Sequence, residues 1–309
     1  MTDTTTDPLA RSTVPAPTDP SIPGFDVVDV PVADGVTLHA AVGDSGTPVV
    51  LLHGFPQTHL MWRHVTTRLA ADHTVVCPDL RGYGASSKPA ATSPDTYSKR
   101  TMAADVVALA RALGHERFAL VGHDRGLLVA LRAGLDHPDA VTHLGLLDAV
   151  PTLDTWAVLQ GRSAAAAFHL YLMAQPPGLP EALIGANPDA FFGHFLDAWT
   201  TDPAAVPDDV RAAYLAASAA AVPSIVADFR ATAGVDVEHE QADRDAGRRL
   251  AMPVSVVQQD WGAALGYDAA AVWRPWADDL ERRLTDAGHF LAETAPDEVV
   301  ADVRALLRR

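Results

Sequence analysis

The sequence predicts an α/β protein: a mostly parallel, eight-stranded sheet flanked by helices, with a helical cap inserted after the sixth strand. Three observations predict it. Short apolar runs lie at 25–32, 37–42, 48–52, 74–78, 118–121, 143–147 and 253–257, with a shorter one near 282–284, and most have the length and β-branched content of strands. Helical patterns at 102–113, 127–135 and 296–307 alternate with the later runs, as parallel strands joined by crossover helices require. The interval 151–249 breaks this rhythm. It carries helical patterns alone, at 156–173, 188–199, 208–220 and 224–233, with the joint Pro176-Pro177-Gly178-Leu179-Pro180. The expected division is a tail at 1–23, a sheet core at 24–150 and 250–309, and the cap at 151–249.

Composition bounds the partners. A chain of 309 residues suits an α/β enzyme with an insertion. It is 48% hydrophobic without an apolar run near 18 residues, so a soluble core without a membrane span is expected. The alanine-rich stretch 212–222 reads as buried helix. Lys plus Arg (23) against Asp plus Glu (39) gives a net charge of −16, which argues against nucleic acid or an anionic membrane as partner. The same charge repels anions at long range, so an anionic substrate needs a local cation. Cys77, the single cysteine, sits in the run Thr74-Val75-Val76-Cys77. It excludes an internal disulfide and any site built from several thiolates. Residues 1–23, rich in Thr, Asp and Pro, have neither a basic start nor an apolar h-region. They read as a disordered tail in a cytoplasmic protein rather than a signal or transit peptide.

The chemistry-bearing segments follow in chain order. Val49-Val50-Leu51-Leu52 runs into His53-Gly54-Phe55-Pro56. The turn after this strand supplies one backbone N–H of an oxyanion hole, here that of Phe55, while His53 reads as a structural histidine tying the loop. Asp79-Leu80-Arg81-Gly82-Tyr83-Gly84-Ala85-Ser86 reads as a structural turn at a strand end. Ala119-Leu120-Val121 ends in Gly122-His123-Asp124-Arg125-Gly126, and a helix begins directly after it. That is the layout of a nucleophile elbow, with Asp124 where esterases carry serine. A carboxylate nucleophile suits attack on saturated carbon, such as a carbon–halogen bond or an epoxide. The Arg125 N–H then completes the oxyanion hole.

A base and an acid must follow the nucleophile. Gly288-His289, after the last strand and before the last helix, places His289 as the base. One histidine among 13 carries little by itself; the chain order and context single it out. The acid that orients it is Asp148, after the strand at 143–147, or Asp260, after the strand at 253–257. Either strand end can place a carboxylate beside the histidine, and periodicity does not choose between them.

With these residues placed, the chain resembles the α/β-hydrolase superfamily, and within it the haloacetate (fluoroacetate) dehalogenases. The resemblance runs from about Phe25 onward. It includes His53-Gly54-Phe55-Pro56-Gln57, Cys77-Pro78-Asp79-Leu80-Arg81-Gly82-Tyr83-Gly84, Ser87-Lys88-Pro89 and Ala174-Gln175-Pro176. It implies the α/β-hydrolase fold, Asp124 as nucleophile, Asp148 as acid and His289 as base. It further implies that Arg125 grips a substrate carboxylate, that His169 belongs to a halide pocket, and that the protein is a homodimer. No metal or organic cofactor is needed by such a mechanism.

Three positions depart from the family pattern. Leu128 stands where the family carries a second carboxylate-binding arginine, Leu170 where it carries a tryptophan, and Phe229 where it carries a cap tyrosine. Each lost charge-assisted hydrogen bond costs about 1.5–3 kcal/mol, and fluoride, small and strongly solvated, suffers most. The expected activity is therefore hydrolytic dehalogenation of small, anionic 2-haloacids, with chloro and bromo substrates favoured over fluoro. Two other readings stand beside it. An epoxide hydrolase would use the same machinery with cap tyrosines, Tyr171 and Tyr214, protonating the epoxide oxygen. A non-catalytic small-molecule binding protein on the same fold would have no need of Asp124, His289 and a partner acid together. Residue by residue, Arg125 could instead pair with a surface acid, and His169 could be a satisfied cap histidine. Trp156 and Tyr171 read more simply as packing.

Overall fold

The computed structural model describes residues 20–43, 46–260, 262 and 266–309. Its sheet has eight strands: β1 (Asp26–Ala33), β2 (Val36–Gly43), β3 (Thr47–Leu52), β4 (His73–Pro78), β5 (Phe118–His123), β6 (Val141–Leu147), β7 (Val254–Gln258) and β8 (Leu280–Leu284). The spatial order is β1-β2-β4-β3-β5-β6-β7-β8. The β1–β2 and β2–β4 pairs are antiparallel and the other pairs parallel.

The central strands read as unbroken apolar runs because both faces are covered. On one face Val50, Leu52, Val76, Leu120, Leu144 and Val256 pack with α2 (Lys99–Ala112) and α3 (Arg125–Asp136). On the other, Val49, Leu51, Val75, Val121 and Val257 pack with α1 (Arg63–Leu69) and, near the C-terminus, α12 (Leu291–Thr294) and α13 (Pro296–Leu306). Alternate residues of β3 therefore serve opposite cores, the period of two that a strand imposes.

Between β6 and β7 the regular elements are helical: α4 (Thr152–Val158), α5 (Phe168–Met173), α6 (Leu179–Ala186), α7 (Pro188–Ala198), α8 (Asp208–Ala220), α9 (Val222–Thr232) and α10 (Val235–Asp245). These form the cap. A short helix, α11 (Ala269–Trp273), lies between β7 and β8. No single helix among the described residues is long and apolar enough to cross a membrane.

The expected strand bounds differ from the observed ones by no more than two residues. The helices differ more. The pattern at 156–173 is not one helix: α4 and α5 are separated by a 3-10 turn at Gly161–Ala165, where Gly161 has φ +58°. Helix α6 starts inside the proline-rich joint, with Pro180 in the first turn, where its missing N–H costs nothing. Helix α10 has no apolar stripe because its inward face is acidic: Asp236, Glu240 and Asp243 are buried at helical spacing. Residues 1–19 of the expected tail lie outside the described residues, while Ile22 is buried in the core. Cys77 is buried and unpaired.

Candidate active site

The elbow joins β5 to α3, and its two glycines are required by close approach rather than by unusual torsion. A Cβ on Gly122 would lie 2.2 Å from the Gly126 carbonyl oxygen, and one on Gly126 would lie 2.5 Å from that of Leu52. The left-handed torsion falls on Asp124 itself, at φ +48° and ψ −112°. Such backbone strain costs on the order of 1–3 kcal/mol and persists because the sheet and helix on either side fix the chain. The side chain it presents is held at once: Asp124 Oδ1 accepts the Phe55 N–H at 2.7 Å. Gly54 makes room for this, since a Cβ there would lie 2.6 Å from the Asp124 Cβ. The Arg125 N–H, at the first position of α3, has no acceptor among the described residues and is available to a second oxygen.

His289 stands opposite. Its Nδ1 lies 2.7 Å from Asp148 Oδ2, and its Nε2 lies 3.9 Å from Asp124 Oδ2 with no hydrogen-bond partner. Of the two candidate acids, Asp148 pairs the histidine, and Asp260 lies exposed beyond the end of β7. Asp148 also accepts from the Gln259 N–H at 2.8 Å and from Gln259 Nε2 at 2.7 Å. Burial pushes its pKa up, but the hydrogen bonds from His289 and Gln259 outweigh this and hold it below the ordinary carboxylate value. An ionised acceptor places the proton of His289 on Nδ1 and the lone pair on Nε2, facing Asp124. Burial lowers the pKa of His289, yet the hydrogen bond and charge of Asp148, joined by the charge of Asp124, raise it above 6.5.

His123 was legible as the residue between Gly122 and Asp124 but carried no expected role. Its Nε2 donates to the His289 backbone carbonyl at 2.8 Å, and the two rings lie 4.7 Å apart. Burial drives its pKa down to about 4, so it is a neutral donor that ties the loop of the base to the strand of the nucleophile.

A cavity of about 190 Å³ opens above these groups. Eight of the nine expected site residues line it: Asp124, Arg125, Leu128, Asp148, His169, Leu170, Phe229 and His289. Phe55, the ninth, reaches Asp124 through its backbone N–H. Trp199, Tyr267 and Thr232 line the cavity as well and were not foreseen.

The comparisons with known proteins agree with this architecture. The family profile described as alpha/beta hydrolase fold matches residues 47–174. A fluoroacetate dehalogenase from Burkholderia sp. is 39% identical over 293 residues, covering 92% of this chain and 94% of the relative. The soluble epoxide hydrolase of Corynebacterium sp. (strain C12) is 31% identical over 282 residues, covering 86% and 92%. A Pseudomonas aeruginosa protein solved as a provisional epoxide hydrolase superposes with a TM-score of 0.88 at 41% identity, covering 94% of this chain and 98% of that one. The chain belongs to the α/β-hydrolase superfamily.

In this α/β hydrolase the cation of the cavity is already paired. Arg125 Nε donates to Asp228 Oδ2 at 2.9 Å, and Nη2 donates to the Asp228 carbonyl at 3.2 Å and to Thr232 Oγ1. Its guanidinium carbon lies 4.0 Å from the centre of the Phe229 ring, and Nη1 has no partner among the described residues. Asp228 also accepts from the Tyr83 hydroxyl at 2.6 Å and from Lys99 Nζ, while Asp236 accepts the Lys99 N–H at 2.8 Å. Two cations and two carboxylates thus balance in a buried cluster. Burial opposes the charge on Asp228, but Arg125 and Lys99 hold its pKa well below the usual range.

His169 is not a satisfied cap histidine. Its Nδ1 is buried without a partner, its ring stacks on Phe55 with centroids 5.9 Å apart, and burial lowers its pKa to about 3. Trp199 packs between His169 and His289, at 5.3 Å and 4.8 Å. The two tyrosines available for an epoxide do not reach the site of this hydrolase. The Tyr171 hydroxyl donates to the Leu159 carbonyl, and the buried Tyr214 hydroxyl donates to Glu293 Oε1 at 2.6 Å. Trp156 both packs on Tyr171 and lines the cavity.

Proposed function

We propose that this α/β hydrolase releases halide from small 2-haloacids by way of an alkyl ester on Asp124, with chloride and bromide preferred to fluoride. The observation that carries the proposal is the asymmetric holding of the nucleophile. Oδ1 is engaged by the Phe55 N–H, whereas Oδ2 faces the cavity and the unpaired Nε2 of His289.

Oδ2 attacks C2 of the substrate, the carbon–halogen bond breaks, and the halide leaves with the bonding pair. Neutral His169 donates an N–H to it, and Arg125 Nη1 holds the substrate carboxylate. His289 Nε2 then takes a proton from water as the oxygen adds to the Asp124 carboxyl carbon. The oxyanion forms where Oδ1 already accepts from Phe55, with the Arg125 N–H as second donor. Collapse breaks the bond from the carboxyl carbon to the ester oxygen, which takes the proton held on His289 Nε2 and leaves as a 2-hydroxyacid, while the regenerated Asp124 carboxyl gives up its proton to solvent. The fluoroacetate dehalogenase relative supports this reading, and the diverted hydroxyls of Tyr171 and Tyr214 weigh against epoxide opening.

The test is His289→Asn with 2-bromoacetate and 2-chloroacetate, followed by intact and peptide mass spectrometry. Bromide release of one equivalent and a stable mass increase on Asp124 are expected. An adduct on another residue, or turnover equal to that of the unaltered protein, overturns the proposal. Diol from styrene oxide without halide release would transfer the site to the epoxide reading.

A further inference from the structure

Resting on the haloacid reading, we propose that the substrate carries an apolar group on C2 and that Leu128, Leu170 and Phe229 form the subsite for that group. The cavity holds about 190 Å³, against roughly 10–15 Å³ needed on this measure to admit one water. A haloacetate leaves most of it unfilled. The reaction fixes three directions at C2: Asp124 Oδ2 on the attacking side, the halogen opposite it, and the carboxylate at Arg125. Arg125 has given Nε and Nη2 to Asp228 and Thr232, so Nη1 alone remains for the carboxylate. Two positions on C2 remain, one for hydrogen and one for a substituent.

The direction of the substituent is apolar. Leu128, in the first turn of α3, lines the same cavity as Asp124. Leu170 follows His169 on α5, and the Phe229 ring packs against the Arg125 guanidinium. Val158 and Leu159 extend the wall beyond them. A polar substituent would lose its water there and find nothing to replace it. An apolar one removes hydrocarbon from water. With attack line, halogen and carboxylate fixed, exchanging hydrogen and substituent would turn the tail away from this wall. One enantiomer is therefore accepted, and its product is inverted at C2.

The experiment measures bromide release from 2-bromoacetate and from racemic 2-bromopropanoate, 2-bromobutanoate and 2-bromohexanoate. Expected is a rise in kcat/KM of about fourfold per methylene added beyond 2-bromopropanoate, where the reacting carbon stays secondary, the ~0.8 kcal/mol of a buried CH₂, with each racemate stopping at half conversion. Leu128→Arg and, independently, Leu170→Trp fill the wall and should abolish or reverse this rise. If kcat/KM stays level or falls from 2-bromopropanoate to 2-bromohexanoate with the unaltered protein while His289→Asn still traps the Asp124 ester, the dehalogenase reading stands and the subsite falls. A rising order unchanged by both substitutions also overturns the subsite. No bromide from any member, with no trapped ester, overturns both.

Discussion

Arg125 and Asp228 form a buried ion pair, Nε to Oδ2 at 2.9 Å, between the residue beside the nucleophile and a cap helix that closes the cavity. The same carboxylate answers Lys99 and Tyr83. The cluster therefore joins core to cap, and its charges balance only while Asp228 is present. Asp228→Asn leaves Arg125 and Lys99 with Asp236 as the single remaining carboxylate of the cluster. Breaking such a pair from one side typically costs about 3–5 kcal/mol, because a buried charge is left unanswered. Urea unfolding should show a loss of that order. A loss below ~1 kcal/mol would mean that water reaches the cluster and the pair is not a structural joint.

In the proposed mechanism the Asp148–His289 pair sets the pH at which His289 acts as base. His289 must be neutral at Nε2 to accept a proton, and its pKa lies above 6.5 because Asp148 holds the charged form. In the Asp124 ester the charge of Asp124 is gone while that of Asp148 remains, so ester hydrolysis should climb with pH on a limb set by the Asp148–His289 pair against burial. Asp148→Asn removes that charge and leaves burial in control, so the limb should move to lower pH. The rate should fall by roughly 10²–10⁴-fold as the tautomer is lost. Single-turnover decay of the ester across pH reads both effects. A limb that stays in place would assign the acid elsewhere.

Gly54 should be intolerant of the smallest addition. A Cβ there would lie 2.6 Å from both the Asp124 Cβ and His123 Nδ1, so Gly54→Ala must displace the Phe55 N–H from Asp124. Losing one oxyanion donor costs about 10²–10³-fold in kcat. The expected result is that loss with KM for the haloacid little changed and the circular dichroism spectrum intact. Full activity in a folded Gly54→Ala variant would remove Phe55 from the mechanism.

These sites differ in how openly the sequence shows them. The strands read well because β3, β5, β6 and β7 are covered on both sides and so appear as apolar runs. The elbow reads well because its two glycines flank the turn in sequence, although only Gly122 is dictated locally, by the Gly126 carbonyl, while Gly126 is dictated by the Leu52 and His53 carbonyls of the neighbouring strand end. The acid was ambiguous for a structural reason. Strands β6 and β7 are neighbours, and the Asp148 N–H bonds the Val257 carbonyl, so both strand ends lie side by side. Asp148, buried directly after β6 at φ +50°, turns its carboxylate to His289, whereas Asp260 lies exposed two residues past the end of β7. Asp228 stands 103 residues from Arg125, and nothing local announces the pairing. Tyr171 lies on α5 and Tyr214 on α8, but helical position does not tell where a hydroxyl ends. Helix α10 escaped notice because its buried face is carboxylates, each matched by a partner far along the chain.

One of those carboxylates makes the cap sensitive to pH. Glu240 accepts the Thr152 N–H at 3.2 Å and the Leu153 N–H at 2.7 Å, which closes the N-terminus of α4, the helix that brings Thr155, Trp156 and Val158 to the cavity. Burial raises its pKa to about 7, from 4.5. Between those values the folded protein binds a proton that the unfolded chain has released. This proton stabilises the fold fully below pH 4.5, and its contribution is lost as pH rises through 7. At about 1.4 kcal/mol per unit the loss is on the order of 3 kcal/mol. Glu240→Gln keeps the acceptor oxygen without the titration, so the stability difference between variant and unaltered protein should grow in favour of the variant from pH 5 to pH 8. Urea unfolding at both pH values measures it. A difference that stays constant with pH would show that Glu240 is ionised throughout, held by the two N–H groups of α4 against the pull of burial.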